Sequence, residues 1–160
     1  PTWRRPLVRI RDEIVGGVLG MVRAQLILVG MTTLLSVVGL ALVGVPYAWL
    51  LGLVAGIFDL APVVGPGGVF VPAALVYAFS DEAVMAVKVV VLWLGLVFFR
   101  QFLEPHIFST QLGLHPVTVL AAVYVGGKAM GLAGFVVGPL VLIVVKALLV
   151  ATVVAERPHV

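Results

Sequence analysis

The 160-residue chain contains no cysteine, which excludes disulfides and thiolate metal sites. Charge is also scarce: Asp, Glu, Lys and Arg make up 11% of the chain, where a soluble domain carries roughly 25%. The three histidines, His106, His115 and His159, show no metal-ligand spacing, so no metal site is expected. No Walker A loop, G-x-G-x-x-G, H-E-x-x-H or G-x-S-x-G motif occurs. The carboxylate pair or Ser–His pair that an intramembrane protease would need is not evident either. These gaps argue against an enzyme, and no catalytic residue or cofactor is expected.

Apolar residues fill the space: 62% of the chain is hydrophobic and the mean hydropathy is +1.26. A soluble fold of this length cannot hide so much apolar surface, so most of it must face lipid or other apolar helices. At roughly 20 apolar residues per crossing, four to six crossings fit. The fold class expected is all-α, a polytopic transmembrane helical bundle. The net charge of +3 comes largely from Arg4, Arg5, Arg9 and Arg11, offset there by Asp12 and Glu13. Arginines beside a span favour the cytoplasmic side and attract anionic headgroups. Beside this hydropathy, nucleic-acid binding is not expected. The chain begins at Pro1 and reads as a piece of a longer membrane protein, here a single membrane domain over 1–160.

Glycine and proline punctuate the apolar runs. Residues 1–22 form a basic interfacial lead-in, and spans are expected at Ala24–Val43, Pro46–Leu60, Val69–Phe79, Ala83–Phe99, Val117–Gly126 and Ala129–Ala155. Pro46 suits a first helical turn. The stretch Arg100–Gln111 is polar, and Glu156–His159 is a tail. Val63-Val64-Gly65-Pro66 is matched by Val136-Val137-Gly138-Pro139, and Gly44-Val45-Pro46 by Gly113-Leu114-His115-Pro116. Two repeat units, 24–79 and 83–155, follow from this match. Three segments in each would make the repeat inverted, with both ends cytoplasmic and the Asp81 loop outside. If short segments re-enter instead, that parity changes.

Broken apolar segments in corresponding places point to a transporter's binding site. The broken-helix loops expected are Pro62, Gly65, Pro66, Gly67 and Gly68 in the first unit, with Gly134, Gly138 and Pro139 in the second. Lipid cannot satisfy freed backbone groups, so Ala61–Gly68 and Gly134–Pro139 are expected to meet and line a polar cavity.

Asp59 lies deep in an apolar run. A carboxylate at the bilayer centre costs about 2.5–3.5 kcal/mol on the insertion scale and so seeks a cavity or a partner. It reads either as a proton or cation site or as a prop for the loop that follows. Arg100, Gln101 and Glu104 share a helical face and read as a polar gate or as an interfacial ion pair. Lys88 and Lys146 have stems long enough to snorkel. His115 before Pro116 reads as a polar helix end, with a titrating role as the alternative.

The same residues resemble the autoinducer-2 exporter family of bacterial membrane transporters. The resemblance runs from about Arg9 to Val150 and corresponds to the C-terminal half of such proteins. It rests on Gly44-Val45-Pro46-Tyr47-Ala48, on Asp59 to Gly68 with Pro72-Ala73, and on Gln101-Phe102-Leu103-Glu104. It continues through Leu112 to Pro116, Gly131 to Gly134, and Gly138-Pro139-Leu140. The acid before the Pro/Gly loop and the triplet Leu103-Glu104-Pro105 are most similar to its sporulation integral membrane protein branch. The resemblance implies a multi-pass, homo-oligomeric protein of the bacterial inner membrane. It would export a small polar molecule or run cation/proton antiport. Besides the lipid bilayer, its partner would be a small polar solute or a monovalent cation. The alternative is a non-transporting membrane protein that supports envelope or spore assembly. A scaffold of that kind has no need of Asp59 or of two broken segments.

Overall fold

The computed structural model describes residues 4–61 and 64–155, so Pro62 and the tail Glu156–His159 lie outside the described residues. Within them the protein is all helical, with no strand. The helices are α1 (Arg4–Val43), α2 (Ala48–Phe58), α3 (Gly67–Phe79), α4 (Ala83–Leu112), α5 (Pro116–Met130) and α6 (Gly134–Ala155), with a 3₁₀ turn at Gly131–Ala133 between the last two. Among the described residues three stretches are long and apolar enough to cross a membrane: Pro6–Val43, Ala83–Leu112 and Pro116–Val153, the last holding α5, the turn and α6. At 1.5 Å per residue, α2 and α3 reach only about 16 and 20 Å, short of a hydrocarbon core about 30 Å thick. Six separate crossings are therefore not supported by helix length.

Two expected boundaries are absent. The basic lead-in runs into the first span as one helix, α1, of 40 residues. The polar stretch after Phe99 continues α4 to Leu112. Pro105 removes a backbone donor inside α4. Around it, Arg100 donates to Glu104 one turn on, and the Ser109 and Thr110 hydroxyls bond back to the His106 carbonyl.

The glycine punctuation acts in two ways. Gly44 and Gly113 both take positive φ, 92° and 62°. In each case the next residue's N–H reaches back across the helix end, Val45 to the Leu40 carbonyl and Leu114 to that of Ser109. Both ends thus carry the same glycine C-cap. Pro46 lies in the turn before α2, which begins at Ala48. The Val-Val-Gly-Pro copies do not behave alike. Gly65 has φ +51° in the turn before α3, whereas Gly138 and Pro139 lie inside α6. The reading of Gly138 and Pro139 as a loop is thereby corrected. The chain reverses earlier, where Gly131 takes φ +62° and α5 ends.

The chain packs as two compact units. One comprises the described residues of Pro1–Ala24 and Pro105–Val160; the other is Gln25–Glu104. The boundaries fall inside α1 and α4. In the second unit α2 and α3 pack together over a core of Leu40, Val45, Ala48, Ala55, Val69, Phe70, Ala74, Val89 and Leu96. In the first unit α5 and α6 form an antiparallel hairpin. A Cβ built on Gly134 would fall on the Gly126 backbone, and one on Gly138 would fall on the Ala122 carbonyl. Contact moves back along α5 as it moves forward along α6. Small residues thus let the two backbones touch. Outside these cores large apolar side chains stand exposed, among them Leu42 at 83% and Phe79 at 86%, as a lipid-facing surface requires.

Candidate functional site

Asp59 is the C-cap of α2 and has no exposed surface. Close packing of α2 on α1 puts it there. A Cβ on Gly52 would strike Val37, and one on Gly56 would strike Thr33, so only glycine admits this approach. From a neighbouring side of α1, Gln25 donates its amide Nε2 to the Asp59 carbonyl at 3.1 Å.

The Asp59 carboxylate meets Arg100 of α4: one guanidinium nitrogen pairs with Oδ1. Arg100 is 16% exposed, and its Nε donates to Glu104 Oε2 at 3.2 Å. One arginine therefore serves two carboxylates, one buried and one 43% exposed. Oδ2 has no hydrogen-bond partner among the described residues. Gly65 closes the site: a Cβ on it would lie 3.9 Å from both the Arg100 nitrogen and Asp59 Oδ1. The Gly65 N–H bonds the Ala61 carbonyl and so does not cap Asp59. Pro66 is the N-cap of α3, Gly67 lies against Trp93, and Gly68 lies against Phe58.

Of the candidates from sequence, Asp59, Arg100, Glu104 and Gly65 come together. Gln101 is exposed and points away, one residue round the helix from Arg100. Gln25 stands by the triad instead. Its signal in the sequence is a lone amide in an apolar span. Gly134, Gly138 and the α5–α6 contact belong to the other unit. His115 caps α5, its Nδ1 accepting the Val117 N–H at 3.3 Å, with Pro116 as the first helical residue.

Lys146 does not simply snorkel. Its Nζ donates to the Leu112 carbonyl at the end of α4, 2.9 Å away, and lies 3.8 Å from Glu13 Oε2. A cation at a helix C-terminus is favoured by the helix dipole. A cleft of about 400 Å³, lined in part by Asp12, Gly16, Gln111 and Ile143, opens beside it. Lys146→Met is expected to lower stability by about 1 kcal/mol, the scale of one hydrogen bond at a partly exposed site. Glu13→Gln should cost less, because that ion pair is long and exposed. Melting temperatures of the two variants in detergent check the order.

An arginine shared by two acids, one of them fully buried, within an all-helical protein that carries membrane-length apolar stretches, defines an integral membrane protein with a charged centre. The chain is a member of the AI-2E family: the family profile described as "AI-2E family transporter" matches residues 1–154. It is 32% identical over 147 residues to YtvI of Bacillus subtilis, provisionally named a transport protein, covering 92% of this chain and 40% of that one. It is 28% identical to YrrI of the same organism, over 93% of this chain and 42% of that one. A sodium-lithium/proton antiporter of Halobacillus andaensis is 29% identical over 79% of this chain and 36% of its own length. The chain thus spans well under half the length of these relatives. No solved structure matches it.

Proposed function

We propose that the chain is the coupling half of a secondary transporter that exchanges a small monovalent cation for a proton. The Asp59–Arg100–Glu104 triad is its exchange centre. The observation that carries this reading is one arginine held between a buried and a half-exposed carboxylate. Two acids and one base leave the triad with one surplus negative charge, which is costly in a low-dielectric interior. A single proton or a single monovalent cation neutralises it. The two cannot do so together without reversing the sign, so they compete, and competition for one site is the basis of antiport. When a cation takes Asp59, the guanidinium keeps Glu104 as its partner, so neither charge is left uncompensated. The likeness to a named sodium-lithium/proton antiporter supports the ion class.

The test uses the full-length protein in proteoliposomes that hold an imposed pH gradient. Adding sodium or lithium should dissipate the gradient, and Asp59→Asn, which keeps the shape and loses the titrating charge, should abolish the response. A full response in Asp59→Asn would overturn the reading. If neither cation moves protons but a small polar solute is exported, the site serves solute export instead.

A further inference from the structure

Two more buried polar groups in the second unit have no hydrogen-bond partner among the described residues: the Ser36 hydroxyl on α1 and the Trp93 indole N–H on α4. Ser36 is fully buried, and Thr32, one turn earlier, is 7% exposed. Buried polar groups left unpaired cost stability and call for a water or an ion.

Their placement is ordered. Gln25, Thr32 and Ser36 are spaced seven and four residues apart. At about 100° per residue they fall within about 20° of one direction on α1. The contacts of α1 show which direction this is. Thr33 and Val37 meet α2 at Gly56 and Gly52, whereas Gly39 meets α4 at Leu92. The stripe lies between these two faces, so it looks into the interior that α1, α2 and α4 enclose. It begins at Gln25, which bonds the Asp59 carbonyl, and reaches Ser36 about 16 Å further along α1.

By helix register the two orphans fall within about one turn of each other along the axes, and the Trp93 indole also borders Gly67 at the start of α3. Gly39 meets Leu92, and Gln25 meets Asp59, the partner of Arg100, so α1 and α4 run antiparallel here. Ser36 is one turn from Gly39, and Trp93 is next to Leu92. Trp93 also lies seven residues before Arg100 and hence on the same face of α4.

We infer that Ser36 and Trp93 form a second, occluded station for a small monovalent cation and its water, joined to the Asp59 triad by the Gln25–Thr32–Ser36 stripe. This rests on the antiport reading above. Hydroxyl oxygens of serine and threonine suit a hard cation, which takes oxygen ligands. The indole N–H cannot ligate a cation, but it can donate to a water in the cation's shell. One hydrated ion would therefore satisfy both orphans. In this arrangement Ser36 does not reach solvent, so a cysteine placed there reports any state that wets the stripe.

The test is cysteine accessibility in full-length protein made cysteine-free and reconstituted in proteoliposomes. Ser36→Cys should react with a small cationic methanethiosulfonate, and sodium or lithium, compared with choline, should slow the reaction. Ser36→Ala and Trp93→Phe should raise the KM for the transported cation about fivefold, the scale of one lost hydrogen bond, with turnover kept. Thr32→Cys, on the same stripe, gives an independent position should Ser36→Cys fail to fold. No labelling at either position, with Asp59-dependent exchange intact, would overturn the station and leave the triad standing. Labelling indifferent to sodium and lithium would also overturn it, leaving a water-filled crevice only. Loss of the station together with normal exchange in Asp59→Asn would remove both readings.

Discussion

Arg100→Gln is expected to damage the folded protein more than Asp59→Asn, and the double variant is expected to recover most of the loss. Asp59 has no exposed surface, and Arg100 is the cation that faces it. Removing one partner of a buried pair leaves an uncompensated charge, at a cost of about 3–5 kcal/mol. Asp59→Asn leaves the guanidinium with Glu104 at 3.2 Å and 16% exposure, so its charge stays paired and partly wet. Replacing both members puts two neutral amides at the contact, and buried pairs replaced together are often close to neutral in stability. Melting temperatures and the monodisperse fraction in detergent give the order. Arg100→Gln should be lowest, the double variant above it, and Asp59→Asn near the unmodified protein. Arg100→Gln as stable as Asp59→Asn would mean that the contact carries no energy. Exchange should be absent from all three, which separates folding from function.

The second large effect is expected at the α5–α6 hairpin. Gly134→Ala should be strongly destabilising, whereas Gly30→Ala should be neutral or mildly stabilising. At Gly134 the new Cβ would fall on the Gly126 carbonyl, which is backbone and cannot swing aside. Gly126 has the reciprocal problem with the Gly134 carbonyl, so the helices must separate and their neighbours repack. Overpacking of this kind costs about 1–3 kcal/mol. Gly30 lies inside α1 with nothing within 4 Å of a built Cβ, and alanine there gains up to about 1 kcal/mol of helix propensity. Thermal melting of the two variants side by side is the check. Equal tolerance at both positions would mean that α5 and α6 do not touch backbone to backbone.

Part of the site is legible in the sequence. An acid in an apolar run is too costly to be incidental, which singles out Asp59. The spacing of Arg100 and Glu104 places them on one face of a helix. Their meeting with Asp59 is not legible, because no local pattern records which distant charge a buried carboxylate finds. Gln101 shares their neighbourhood along the chain but not their side of α4. Gln25 carries a weak signal, because an amide in a span costs less than a charge. The bond from Lys146 to the end of α4 is equally hidden, because its partner lies 34 residues away.

By itself the sequence determined the class. Scarce charge and long apolar runs permit only membrane helices, since lipid leaves backbone groups no partner outside the chain. It also determined where α1 ends, because Gly44 enters the left-handed region that other residues resist, whereas the polar stretch after Phe99 hid the run of α4 on to Leu112. Tertiary structure decided the rest. Two copies of Val-Val-Gly-Pro became a turn at Gly65 and helix at Gly138, because Gly138 is pressed against Ala122 of α5 while Gly65 lies over the ion pair. Glycine permits either outcome, and only packing against a neighbour selects one.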